Sequence, residues 1–169
     1  MNTFILRHGE AAELGTSGIK SDAERPLTES GIAQIKEVAL ALICLGVKLD
    51  LIITSPYVRA HQTAELICKN SRIKKDLVIA DELMPGGNQK ELISKINELG
   101  PDNIMLVGHE PSLSRLIALL ISGQNSAAVM LKKGGLAKLS VETLKHGKCA
   151  ILKWLLTPKQ MRKLAAGDD

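Results

Sequence analysis

A strand followed by a helix, four times over, is the feature that restricts this chain most. Apolar runs of strand length occupy residues 2–7, 50–54, 77–79 and 103–108. The helical stretches between and after them carry apolar residues at helical period. After the first run come Ile32, Ile35, Ala39, Leu42 and Ile43; after the third, Leu92, Ile93, Ile96 and Leu99; after the fourth, Leu113, Leu116, Ile117, Leu120 and Ile121. The last set obeys the i, i+3, i+4, i+7, i+8 rule for one buried helical face. Such alternation implies right-handed crossovers and a mainly parallel sheet with helices on both faces.

The punctuation agrees. Thr28 with Glu29 reads as one helix start, Ser55-Pro56 as an N-cap and first helical residue of a helix running to about Asn70, and Asn88 with Glu91 as a capping box. Gly46, Gly100-Pro101 and Gly123 read as helix ends. Two more strands, 136–141 and 149–156, are joined by a turn near His146-Gly147 and add an antiparallel member. Thr157-Pro158 opens a final basic helix, and residues 167–169 are expected to fray. The fold expected is a single domain over 1–169, a three-layer α/β/α arrangement with a mainly parallel central sheet plus one antiparallel strand. With Phe4, Tyr57 and Trp154 as its aromatics, the core must be aliphatic. A chain of this length buries roughly 70% of its unfolded surface without needing a disulfide or a metal. The polar stretch 9–26 shows no period, and loops of that length in compact domains are often functional lids.

Open α/β sheets take ligands beyond the carboxyl ends of their strands. Three strand-to-helix junctions carry unusual cargo there: Arg7-His8-Gly9 after the first strand, Arg59 one turn into the helix after the second, and His109 after the fourth. In a parallel sheet all three share one edge. Two guanidiniums and two imidazoles beside helix N-termini suit a dianion, and phosphate fits best. Arg7 and Arg59 would fork onto equatorial oxygens and depress the pKa of His8, keeping it neutral with a lone pair. A neutral histidine attacking phosphorus gives a phosphohistidine that water then cleaves. His109 would donate to the transferring group, and Gly9 would let the backbone turn beside the nucleophile.

Singly, each feature has an ordinary structural reading: Arg7 and Arg59 as solvated charges, His8 and His109 as packing or capping residues. Their coincidence on one edge favours chemistry. Glu82, in a Gly/Pro loop, reads as a solvated carboxylate before it reads as a proton donor. His61 and His146 read as surface residues, and Cys44 and Cys68 as small core residues.

Other chemistries are excluded by spacing. A cysteine phosphatase needs an arginine six positions after its cysteine, and Asp50, Lys74 and Leu155 stand there instead. No G-x-x-x-x-G-K-[ST] loop occurs, no D-x-D pair follows a strand, and no His, Asp or Cys cluster has metal-ligand spacing, so neither a metal nor another cofactor is expected. The net charge of +4 suits an anionic partner only weakly. Without aromatics for stacking, nucleic acid is not expected. Three cysteines without a C-x-x-C argue for free thiols in a reducing compartment. With no signal-like opening and no apolar run near the ~20 residues of a membrane span, a cytoplasmic monomer away from membranes is the expectation.

Three motifs carry a resemblance. Arg7-His8-Gly9-Glu10 resembles the signature of the histidine phosphatase superfamily, whose fold is phosphoglycerate-mutase-like. Ser55-Pro56-Tyr57-Val58-Arg59-Ala60-His61-Gln62-Thr63-Ala64 resembles its second motif, and Gly108-His109-Glu110 its third. The resemblance spans nearly the whole chain. Small size, Arg25-Pro26-Leu27-Thr28 leading to Gly31, and the Glu82-Leu83-Met84-Pro85-Gly86 loop make the chain most similar to phosphohistidine phosphatases of the SixA type. The resemblance implies His8 as the residue phosphorylated, and Arg7, Arg59 and His109, with Gly9, as the phosphate pocket. It implies Arg25 at the rim, and puts Glu82 where larger members place a general acid. It further implies a metal-independent hydrolase of signal transduction, acting on a phosphorylated histidine-containing protein of the phosphotransfer type. A small-molecule phosphomonoesterase of the same fold and a non-catalytic phospho-binding module stay open as alternatives.

Overall fold

In a computed structural model, residues 1–16, 18–71, 77–126 and 128–166 are described. The expected fraying of 167–169 lies outside them. The elements are β1 (Asn2–Arg7), α1 (Glu29–Cys44), β2 (Leu51–Thr54), α2 (Val58–Asn70), β3 (Leu77–Ile79), α3 (Gln89–Leu99), β4 (Asn103–Gly108), α4 (Ser112–Ser122), β5 (Leu136–Val141), β6 (Ala150–Leu156) and α5 (Pro158–Ala166).

β1 is apolar on both faces because it has neighbours on both edges and layers on both sides. Ile5 stands opposite Leu106 of β4 in parallel register and opposite Ala137 of β5 in antiparallel register. The six-stranded sheet runs β3-β2-β4-β1-β5-β6. β5 is antiparallel to both β1 and β6, so it is the one reversed strand, as the sequence pattern implies.

Successive strand residues face opposite layers, and the core divides accordingly. Ile5, Ile53, Ile104 and Leu106 pack with Leu92 and Ile96 of α3 and with Leu113, Leu116 and Ile117 of α4. Phe4, Leu6, Ile52, Met105 and Val107 pack with Ile35, Val38 and Leu42 of α1, Ala60, Ala64 and Ile67 of α2, and Met161 of α5. Three layers result.

Local chemistry sets the helix ends. The Thr28 hydroxyl accepts the Gly31 N–H at 3.0 Å, and Asn88 accepts the N–H groups of Lys90 and Glu91. Several details differ from the sequence reading; Leu99, at the end of the α3 stripe, is 48% exposed. α2 begins at Val58 with Tyr57 as its cap residue, so Ser55-Pro56 precedes the helix instead of opening it. Ile43 is 44% exposed, because the buried face of α1 runs through Val38 and Ala41 instead. Cys44, next to it, is exposed and not a core residue.

The order β2-β4-β1 positions the site. Leu6, Val107 and Thr54 lie side by side, so the chain leaves three adjacent strands at one edge. α1 is clamped against that edge by a glycine: a Cβ on Gly31 would stand 2.1 Å from the Glu10 carbonyl oxygen, two residues past His8. A Gly-to-Ala change inside a helix normally stabilises by about 1 kcal/mol. Here the sign should reverse: Gly31→Ala is expected to destabilise by about 1–3 kcal/mol through overpacking, read from the urea midpoint. The neighbouring exposed Ser30→Ala should stay within about 0.5 kcal/mol of the parent.

Candidate active site

His8 follows β1 directly, and its backbone N–H continues the ladder to the Gly108 carbonyl at 3.2 Å. The residue is 6% exposed, and Nδ1 lies 2.7 Å from the Gly9 carbonyl oxygen. A carbonyl only accepts, so Nδ1 carries the proton and Nε2 holds the lone pair. The Arg59 Nε–H donates to that Nε2 at 3.2 Å. The His109 ring centroid is 5.0 Å from that of His8, and the Tyr57 ring stands edge-on to His109 at 5.0 Å. The carboxyl ends of β1, β2 and β4 therefore bring His8, Arg59 and His109 into one buried cluster.

The two arginines are held differently from the simple picture of open forks. Arg59 is 4% exposed and spans Asp22: its Nη1 donates to the Asp22 carbonyl, and its Nη2 to Oδ2 at 2.9 Å. Its two Nη groups are thus both taken up by one residue, through the backbone carbonyl and the carboxylate of Asp22. Arg7 donates from Nη1 to the Leu131 carbonyl at 2.8 Å, while its buried Nε has no hydrogen-bond partner among the described residues. Arg25 reaches the cluster through Asp22, donating from Nη1 to Oδ1 at 2.8 Å and from Nε to the Ala12 carbonyl. Asp22 opens a short 3-10 turn in the 9–26 stretch, so that stretch closes on Arg59.

Gly9 is required for a different reason from a tight turn. A Cβ there would meet Ile35 Cγ1 at 2.8 Å and the Gly31 carbonyl at 3.1 Å, so the absence of a side chain admits α1. The Gly9 N–H donates to Thr63 Oγ1, whose hydroxyl donates to the Arg59 carbonyl, tying the segment after β1 to α2.

Glu82 does not stand ready as a proton donor. It lies in the turn Asp81–Leu83 with its carboxylate 2.6 Å from Lys95 Nζ. Burial alone would raise its pKa, but the Lys95 hydrogen bond and charge more than reverse this and keep it ionised. His61 faces Glu65 at 3.6 Å and His146 is exposed, both as read from sequence.

Burial is the first cause of the neutral imidazoles. It lowers the His8 pKa to about 4, with Arg59, Arg7 and Lys133 adding and the Gly9 carbonyl opposing. The sequence reading credited the arginines, which come second. His109 is pushed to about 3, first by burial and then by His8, Arg59 and Arg7, against Asp22. Burial likewise lowers Arg7, with Arg59 adding and Glu110 opposing.

Three residues of the cluster make contacts that the sequence does not reveal. Ser55 was assigned to helix capping, yet its hydroxyl lies 2.8 Å from His109 Nε2. Asp22 sat in a stretch with no period to mark it. Thr63 stands in the sequence only as a member of the second motif, without a role of its own. Among the described residues no group of three His, Cys, Asp or Glu side chains gathers as metal ligands would.

Comparison with known proteins accords with this geometry. The sequence pattern of the Histidine phosphatase superfamily (branch 1) matches residues 3–84. An uncharacterised protein of Picosynechococcus sp. is 33% identical over 142 residues, covering 82% of this chain and 84% of that one. The phosphohistidine phosphatase SixA of Escherichia coli K12 is 25% identical over 169 residues, covering 98% of this chain and 99% of that one. A solved structure of the protein histidine phosphatase SixA complexed with tungstate has a TM-score of 0.82 at 26% identity, over 94% of this chain and 98% of that one.

Two outcomes follow. Both imidazoles have folded pKa values below the ordinary 6.5. The stability gained by keeping them neutral is therefore complete above about pH 6.5 and is lost as pH falls toward 4 and then 3. NMR titration should find His8 and His109 neutral from pH 8 down to pH 5, with the urea midpoint falling over the lower half of that range. An imidazole of this pair titrating near 6.5 would contradict the assignment. Asp22→Asn should let inorganic phosphate inhibit more strongly, by up to about 5-fold, since a half-exposed ion pair is worth about 1 kcal/mol at most.

Proposed function

The chain belongs to the histidine phosphatase superfamily and is of the SixA type, and on that premise we propose that this phosphatase removes the phosphoryl group from a phosphohistidine on another protein. The reaction runs through a phosphorylated His8 and needs no metal. The partner is a histidine-containing phosphotransfer protein, so the activity serves signal transduction in the cytoplasm.

The observation that carries the reading is the state of His8: neutral, protonated on Nδ1, with the Nε2 lone pair held at 3.2 Å by a cation. When a phosphoryl group enters, Arg59 gives up Nε2 and turns with Arg7 to the equatorial oxygens, where charge spreads in the transition state. Nε2 forms the new N–P bond. The old N–P bond breaks, its electron pair going to the substrate imidazole. The Gly9 carbonyl keeps the proton on His8 Nδ1 and stabilises the positive charge that the ring gains when phosphorylated. Water then attacks phosphorus, and the electron pair returns to Nε2 as neutral His8 leaves.

The choice of substrate is supported by Glu82. An alkoxide leaving group needs a strong acid beside it, whereas an imidazole leaves readily once protonated. A carboxylate engaged by Lys95 at 2.6 Å is not such an acid. Similarity to SixA points the same way.

Incubation with a labelled phosphohistidine protein should label wild type transiently. His8→Ala should give no labelled enzyme and a rate at least about 10³-fold lower, and label retained by that variant would refute the nucleophile. Glu82→Gln should change phosphohistidine hydrolysis by less than about 3-fold, against the ~10²–10⁴ that a general acid contributes. A larger loss, with alkyl phosphates turned over faster than phosphohistidine, would favour a small-molecule phosphomonoesterase.

A further inference from the structure

Ser55 follows β2 directly, is fully buried, and its backbone N–H donates to the Val107 carbonyl of β4 at 3.0 Å. Among the described residues its hydroxyl has two hydrogen-bond neighbours. One is the Tyr57 backbone N–H at 3.3 Å; the other is His109 Nε2 at 2.8 Å. The Tyr57 amide can only donate, so Oγ accepts there. The hydroxyl proton still needs an acceptor, and among the described residues His109 Nε2 is the one that Oγ meets. Were Nε2 protonated instead, the oxygen would accept twice and its own proton would be buried without a partner, which buried hydroxyls avoid.

The arrangement that leaves the fewest buried groups unpaired places the proton of neutral His109 on Nδ1. That nitrogen is buried and has no hydrogen-bond partner among the described residues, in a ring 2% exposed and 5.0 Å from His8. The Tyr57 ring braces the imidazole edge-on. We propose that Ser55 is a positioning residue: its hydroxyl donates to Nε2, fixes His109 as the Nδ1–H tautomer, and so gives the cluster an N–H donor with no acceptor among the described residues, directed to the phosphoryl oxygen beside His8. The destination of the N–H rests on the proposed function; the tautomer does not. Ser55 contacts no reacting atom. Its part is to decide which nitrogen of His109 bears the proton, as the Gly9 carbonyl decides it for His8.

Ring ¹⁵N NMR of the histidine-labelled full chain at pH 7.5 tests this, with tungstate as the anion probe. Wild-type His109 is expected as the Nδ1–H tautomer, and tungstate should shift its Nδ1 resonance. In Ser55→Ala the ring should move toward the Nε2–H tautomer, with kcat on phosphohistidine lowered about 10-fold and KM little changed, less than the ~10²–10³ of losing a transition-state donor outright. Ser55→Thr, which keeps the hydroxyl, should restore the tautomer. A wild-type ring protonated on Nε2 overturns the proposal even if Ser55→Ala does not fold and even if the substrate is not phosphohistidine. An Nδ1–H ring whose tautomer or turnover is the same in folded Ser55→Ala overturns it as well.

Discussion

The arrangement depends on one hydrogen bond between two buried groups, the Arg59 Nε–H and the lone pair of His8 Nε2. A buried guanidinium beside a buried imidazole is tolerable only if the imidazole stays neutral, and burial with two flanking arginines ensures that. The same contact occupies the lone pair, which in the mechanism proposed above a phosphoryl group takes over. Asp22 holds the other end of Arg59 in the same way. Arg59 is thus held at both ends, by an imidazole lone pair and by Asp22.

The sheet makes this contact possible. β1 and β2 both pair with β4, and the residues following these three strands open at adjacent positions of one edge. Arg59 comes within reach because α2 starts two residues beyond Ser55-Pro56, leaving Ser55 free to bond His109. Gly9 and Gly31 admit α1 close to the segment after His8, so His8 is fixed from the α1 side as well as by the ladder. Precision at the site is thus a result of backbone packing.

Much of this was legible in the sequence because it depends on period and order. Strand runs and helical stripes gave the layers and the single reversed strand, and the positions of Arg7, Arg59 and His109 after strands gave the cluster. What period cannot show is how a side chain is held. The Asp22 grip on Arg59, the Lys95 grip on Glu82 and the Ser55 contact with His109 each join residues far apart in sequence. Ser55 was misread because Ser-Pro before a helix is a good capping signal, and a hydroxyl shows nothing locally of a distant imidazole. Gly9 was credited with a turn because a missing Cβ reads alike whether it frees the backbone or admits a neighbour.

The central claim is that His8 Nε2, released by Arg59, meets phosphorus. A crystal structure with orthovanadate tests it most directly. The account requires vanadium in line with His8 Nε2 at about 3 Å or closer, Arg59 and Arg7 on its equatorial oxygens, and the Arg59–His8 hydrogen bond broken. Vanadate bound while Arg59 Nε still donates to His8 Nε2, or seated away from His8 altogether, would contradict it.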